Sequence, residues 1–412
     1  MKKFLVLLLI FMTAFTLSVR ADSIRAGALA SGGRPTMLLK DTSVLGTYPG
    51  ALQMFPNALW IKTTPGAGTY SVGVAYKVND LAALATTYAS ANESTFVTIP
   101  GLGIRSINNT QHIYVLYGLK LGNLYAGLMV MNYFPRSTIL RQTINSSSVV
   151  EVEESTTGFK TTIKPSAVLK FGSISVYGTV DATVNMNKYT YFTNSNTNSV
   201  TVTPSVLNNI GLDVTAAYDW SKDTTFGLTL GFSYGDTGYK VEEYTNTTDK
   251  SLTTNYNSTV MNSSIILGAR TKAGADVELF FDMPMGFGVS KSGWESGTTT
   301  TIMTITLPTI SAGAEVKLGK GFAFRLSGVP SWTRTITDVE NSNSSGTHTV
   351  VDSYGLSSAL GLGWHKGNFY INTTVNGTIF ATDTGSPLAV LGGLFTGAAQ
   401  QYFTAVQINY VW

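Results

Sequence analysis

Lysine, arginine, aspartate and glutamate make up only 12% of this sequence, about half their share in ordinary soluble domains, so their placement is informative. Within segments that alternate apolar and polar residues, Lys160, Lys164, Lys170, Asp181, Asp213, Asp219, Arg270, Asp282, Glu315, Lys317 and Arg325 belong to the polar row. Two chemistries suit such a row. Facing a water-filled interior, it would sort solutes by charge. Paired across neighbouring strands, the same mixed signs would stiffen a wall without binding anything. No ring of one sign emerges, so strong anion or cation selectivity is not expected.

Other reactive groups are sparse. His112, His348 and His365 are too few and too scattered for a metal centre or a convincing dyad. His112 and His348 fall near expected outer loops, where exposure is the simpler reading and general-base chemistry the alternative. Glu151, Glu153 and Glu154, and the pair Glu242 and Glu243, could hold divalent cations that bridge lipopolysaccharide phosphates, or be solvated. Gly101/Gly103, Gly286/Gly288 and Gly361/Gly363 lack the rest of a phosphate-binding loop and read as strand glycines. Cysteine is absent, which excludes disulfides, thiolate metal sites, a cysteine nucleophile and lipidation at cysteine. No metal or cofactor is expected.

The elements that must position these groups show a period of two. From Ile210 to Trp220, one row reads Ile210, Leu212, Val214, Ala216, Tyr218, Trp220; the other reads Gly211, Asp213, Thr215, Ala217, Asp219. The next segment sets Phe226, Leu228, Leu230, Phe232 and Tyr234 against Gly227, Thr229, Gly231, Ser233 and Gly235. One face suits lipid and the other water, the pattern of a membrane barrel strand. Short connections such as Gly122-Asn123, Gly172-Ser173 and Gly367-Asn368 alternate with long Asn/Ser/Thr-rich stretches around residues 90–110, 135–157, 189–208, 242–255 and 339–349. That is the short-turn, long-loop asymmetry of outer-membrane barrels. Apolar rows place Phe171, Trp220, Phe226, Phe322, Trp364, Phe369, Tyr410 and Trp412 beside the short turns, and Tyr189, Tyr191, Tyr234, Tyr239, Tyr256, Trp332, Tyr354 and Tyr402 toward the long loops. Two aromatic girdles imply a membrane between them.

The amino terminus begins with Lys2 and Lys3, then an apolar run from Phe4 to Leu17 and the small-residue site Val19-Arg20-Ala21, which reads as a signal peptide. Its removal takes Lys2, Lys3 and Arg20, so Lys+Arg falls from 27 to 24 and equals Asp+Glu at 24. The mature chain is neutral, and the +3 charge gives no argument for a nucleic-acid partner. The fold expected is all-β: a signal peptide at residues 1–21, a plug or periplasmic segment at residues 22–56, and a transmembrane antiparallel barrel of about 14 to 16 strands over residues 57–412.

From Tyr402 to Trp412 the alternate row is Tyr402, Thr404, Val406, Ile408, Tyr410, Trp412. It resembles the terminal strand signal of bacterial outer-membrane proteins, which implies that Tyr410 and Trp412 are recognised by the barrel assembly machinery. The stretch Tyr48-Pro49-Gly50-Ala51 ahead of Ala58-Leu59-Trp60-Ile61 resembles the Asn-Pro-Ala approach to the first strand in long-chain fatty acid transporter-like barrels, with tyrosine in place of the asparagine.

One outer connection is apolar. Residues 387–399 include Leu388, Val390, Leu391, Leu394 and Phe395, which would form a hydrophobic ligand platform, an interfacial anchor or a cover over the barrel mouth. Together with the apolar residues of 22–56, they point toward apolar solutes. The readings that follow are a conduit for passive passage of small solutes, a surface or scaffold barrel acting through its loops (an adhesin or assembly partner), and, third, a barrel enzyme. Outer-membrane lipid and lipopolysaccharide are the expected surroundings; the solute and the oligomeric state are not specified by the sequence.

Overall fold

The computed structural model describes residues 44–54, 57–64, 69–91, 95–99, 103–107, 110–135, 139–143, 149–157, 159–186, 188–192, 198–245, 249–295, 297–341, 344–381 and 405–411. They form twenty-four strands, numbered in chain order. The first eight are β1 (Ala58–Thr64), β2 (Thr69–Lys77), β3 (Ala82–Ala91), β4 (Thr95–Ile99), β5 (Gly103–Ile107), β6 (Thr110–Leu121), β7 (Leu124–Pro135) and β8 (Ile139–Thr143). The next eight are β9 (Val149–Thr157), β10 (Lys160–Phe171), β11 (Ile174–Asn185), β12 (Lys188–Phe192), β13 (Asn198–Pro204), β14 (Leu207–Asp219), β15 (Thr224–Asp236) and β16 (Tyr239–Thr245). The last eight are β17 (Asp249–Lys272), β18 (Val277–Trp294), β19 (Thr299–Thr306), β20 (Ser311–Gly319), β21 (Phe322–Asn341), β22 (Ser344–Lys366), β23 (Phe369–Ala381) and β24 (Ala405–Val411).

Sixteen of these close a cylinder in the order β1-β2-β3-β6-β7-β10-β11-β14-β15-β17-β18-β20-β21-β22-β23-β24, every neighbour antiparallel. The seam is β24 against β1, with Ala58 opposite Val411 and Lys62 opposite Gln407. Closure leaves no edge, the condition for spanning hydrocarbon with strands. Several hairpins turn on glycine: φ is +61° at Gly122 and +58° at Gly367, the left-handed region that these tight connections require and that other residues resist.

Parity along each strand separates two surfaces. Leu212, Leu230, Leu326 and Leu362 point outward and are 44–54% exposed, whereas Thr179, Thr215 and Ser327 on the opposite row are at most 4% exposed. Phe322 lies 6.5 Å from Trp364, which lies 6.2 Å from Phe369, and Trp220 lies 6.4 Å from Phe226, forming an outward belt beside the short turns. A second outward belt holds Tyr234 and the stacked pair Trp332 and Tyr354, 5.5 Å apart. Phe322 and Trp332 mark the two belts on one strand. Their ten-residue separation is about 34 Å along a strand, or about 25 Å after the usual tilt, the height of an outer-membrane apolar band. Among the described residues, no charged side chain stands on the outward row between the belts.

Above the second belt the wall continues. β8, β9, β12, β13 and β16 pair in that order, joining β17, while β19 joins β18 to β21. Much of the sequence expected as long loops around 135–157, 189–208 and 242–255 is therefore strand. Its Thr and Val residues favour an extended backbone, but beyond the lipid no unbroken apolar row is enforced, so none marks it in the sequence. Two aromatics of the expected outer girdle also differ: Tyr239 and Tyr256 share parity with Asn262 and Arg270 and face inward. Just above the band on the outward row, Arg334 donates two 2.8 Å hydrogen bonds to Asp352, holding that carboxyl below its ordinary range.

A short helix α1 (Val44–Thr47) and a 3-10 turn (Pro49–Met54) precede the wall.

Leu230 sits midway between the belts on β15. Leu230→Arg is expected to destabilise the folded barrel by about 2–4 kcal/mol in urea unfolding from lipid vesicles. An unchanged midpoint would contradict a lipid-facing row.

Candidate functional site: the covered and ion-paired lumen

The inner surface has two sectors. On β3, β6, β7 and β10 it presents, toward the short turns and among polar neighbours such as Ser166, the apolar residues Ala83, Ala85, Leu116, Met129 and Val168, and these form one buried cluster with Leu45, Tyr48, Ala51 and Leu52 from the N-terminal segment. The segment is seated by close backbone approach. A Cβ on Gly127 would lie 2.6 Å from Gly50 Cα, and one on Gly118 would lie 3.0 Å from Leu52 Cβ. The Gly50 amide donates to Ser166 Oγ at 2.5 Å, and Tyr48 Oη shares a 2.7 Å hydrogen bond with Thr215 Oγ1 on β14. Leu52 is 1% exposed; burying a leucine contributes about 1.5–3 kcal/mol. Segment 44–54 therefore lies inside the barrel, in its short-turn half, with its apolar side chains turned to the wall.

The opposite sector is charged. Arg270 on β17 donates to Glu278 on β18 at 2.9 Å, Glu278 lies opposite Glu315 on β20, and Arg325 on β21 donates to Glu315 at 2.5 Å. Arg325 also reaches across β22 to Asn372 Oδ1 on β23 at 2.9 Å. Gly363 makes that reach feasible, because a Cβ there would lie 2.6 Å from the guanidinium. In register, Asn372 stands opposite buried Gln407, and Gln407 opposite buried Lys62 at the seam. Glu315 and Arg325 are each less than 10% exposed.

All six lumen candidates occupy the inward row. Lys164 and Asp181 are 3.6 Å apart, and Asn209 donates to Asp181 at 3.0 Å. Asp213 lies opposite Gly231, and Asp282, half-buried, lies opposite Gly268 and Ser311. Arg270 and Arg325 belong to the ladder. The structure thus brings Arg270 and Arg325 into one network and leaves Lys164 with Asp181 in another. Glu278 was not singled out from the sequence, although its parity with Asp282 was the available signal.

His112 corrects an expectation. It is 3% exposed, on the inward row of β6, with its ring 4.2 Å from Tyr133 and Lys160 Nζ 4.5 Å over that same Tyr133. β6 begins at Thr110, so the residue belongs to the wall and not to a loop. His348 is exposed and lies 2.5 Å from Asp338. Glu242 pairs with Lys240 at 2.7 Å. Tyr410 is outward and 45% exposed. Trp412, the apolar group Leu388, Val390, Leu391, Leu394 and Phe395, and residues 1–43 lie outside the described residues.

The chain is a sixteen-strand antiparallel β-barrel of the outer-membrane kind. No protein-family model matches it, and no curated protein does. Among solved structures it is similar to the ferric yersiniabactin uptake receptor FyuA from Yersinia pestis, with 9% identity over 80% of this chain and 62% of that one, TM-score 0.42. It is similar to CdiB from Acinetobacter baumannii, with 11% identity over 87% and 60%, TM-score 0.40. It is also similar to the CymD monoaromatic hydrocarbon channel, with 8% identity over 96% and 98%, TM-score 0.38. The chain spans about three fifths of the first two.

Removing one partner of a buried ion pair leaves a charge uncompensated and costs about 3–5 kcal/mol. Arg325→Leu should lower barrel stability by that order in urea unfolding. The double variant Glu315→Gln with Arg325→Leu should recover a large part of the loss. Equal stability of all three proteins would show that the ladder is not coupled.

Proposed function

We propose that the protein is a passive conduit for small solutes across the outer membrane, narrowed on one side by its own N-terminal segment. The observation that supports this most is the sorting of the wall: an uncharged outward band about 25 Å tall encloses an inward row rich in Thr, Ser, Asn and charged side chains. Barrels of sixteen strands are wide enough to leave an aqueous passage. The apolar side chains Leu45 and Leu52 are spent on packing against the wall, so they offer little surface to an apolar solute. In this reading the barrel assembly machinery inserts the chain through its last strand, and lipid and lipopolysaccharide surround it. The reading includes no catalytic role: His112 is packed among Tyr114 and Tyr133, and His348 with Asp338 stands in open solvent on the outward row.

A second reading rests on the upper tier. β17 and β22 run 24 and 23 residues, roughly twice what crossing the bilayer needs. A wall raised so far beyond the membrane also suits a surface or scaffold barrel that meets partner molecules.

Single-channel recording of refolded protein in planar bilayers separates these readings. Step currents are expected, larger after deletion of residues 22–56 and also larger in Gly127→Val, whose side chain would occupy the seat of Pro49 and Gly50. Currents that ignore both changes would remove the constriction from the account. A silent barrel that still binds cells or partner proteins would favour the second reading.

A further inference from the structure

Three aromatic rings face the interior above the membrane band. Tyr239 stacks on Tyr256 at 4.9 Å with planes 24° apart, and Trp294 stands edge-on to both, 6.0 Å from Tyr239 and 5.2 Å from Tyr256. They come from three consecutive strands, β16, β17 and β18, in direct register. Their parity matches Asn262 and Arg270 and opposes the outward row of Met261 and Leu267. Each ring is half-buried, so it keeps part of its surface toward the lumen. No lipid reaches this level or this face, and the girdle argument that explains Trp332 and Tyr354 does not explain these rings.

What lies below them indicates what they bind. Descending the same two strands toward the short turns, the inward side chains include Ser290, Ser292, Asn262 and Ser264, interrupted by Val260, Ile266 and Pro284 and, at the level of Arg270, by buried Phe280. Gly288, beside Asn262, keeps this lane clear: a Cβ there would lie 2.6 Å from the Asn262 amide oxygen. Lower still, Asp282 supplies a carboxylate, which accepts hydrogen bonds from hydroxyls. The charges that end the lane, Arg270 and Glu278, are joined to each other. Hydrogen-bonding side chains outnumber apolar ones along this lane, and the arginine at its end is already engaged by Glu278.

We propose that Tyr239, Tyr256 and Trp294 form a stacking site at the long-loop mouth for neutral, hydroxyl-rich solutes, oligosaccharides, which the serine and asparagine lane then accepts. Flat rings cover the C–H faces of a pyranose while its hydroxyls turn to the amide and hydroxyl groups, the division of labour that amphipathic aromatic side chains provide. Hydrogen-bonding groups along the wall, not net charge, then set the preference of the passage. The proposal rests on the conduit reading for its role but not for its test.

Calorimetric titration of maltohexaose into the full mature barrel in detergent tests it. Saturable binding is expected. Tyr256→Leu and Trp294→Ala should each weaken it by about tenfold, while Tyr234→Ala, which removes an outward ring, should leave it unchanged. Retention of the heat-modifiable folded band on gels shows that each variant has folded; Tyr256→Leu preserves apolar bulk for that purpose. Absence of saturable binding, affinity in both inward variants unchanged from the unsubstituted barrel, or binding of 4-nitrotoluene in place of the sugar would overturn the proposal. A barrel that conducts in bilayers without binding maltohexaose would lose this site and keep the conduit; one that binds it but never conducts would do the reverse.

Discussion

Hydrocarbon offers no partner for a backbone amide or carbonyl, and each one left unsatisfied there costs several kcal/mol. A strand can cross it only if both of its edges are paired. In this protein that condition is met at the seam, where Ala58 to Thr63 of β1 pair with Val406 to Val411 of β24. Once the sheet is sealed, side chains have only two destinations, and each strand sends alternate residues to lipid and to the interior. The exposed leucines and the buried threonines are consequences of that closure.

The interior then has to be occupied at acceptable cost, and its two sectors do so differently. Where the inward residues are small or apolar, the N-terminal segment covers them, and Gly118 and Gly127 remove the side chains that would keep its backbone away. Where they are charged, opposite signs meet across adjacent strands, from Arg270 to Glu278 and from Glu315 to Arg325. A buried charge without a partner is expensive. Pairing keeps the polar lumen compatible with a stable wall.

The membrane-spanning part of this arrangement was legible in the sequence because lipid enforces alternation. The rows of β14 and β15 read correctly from Ile210 to Tyr234, and with them the outward aromatics Trp220, Phe226 and Phe322 of the lower belt. The upper tier is not legible, since strands beyond the lipid need no unbroken apolar row, and Thr-rich stretches resemble loops. Tyr239 and Tyr256 were placed outward for the same reason: beyond the band, an aromatic on either face satisfies composition. His112 was read as a loop residue because the start of β6 leaves no apolar signal ahead of Ile113. The role of Gly363 is invisible there, because only the folded wall brings the Arg325 guanidinium across it.

The claim on which all of this depends is the alternation of lipid and water along sealed strands, and the absence of cysteine permits a clean test by single-cysteine scanning of β14 from Ile210 to Tyr218 in brominated-lipid vesicles. Fluorophores at positions 210, 212, 214, 216 and 218 should be quenched by the lipid, while those at 211, 213, 215 and 217 should escape it. Equal quenching at odd and even positions would contradict the account.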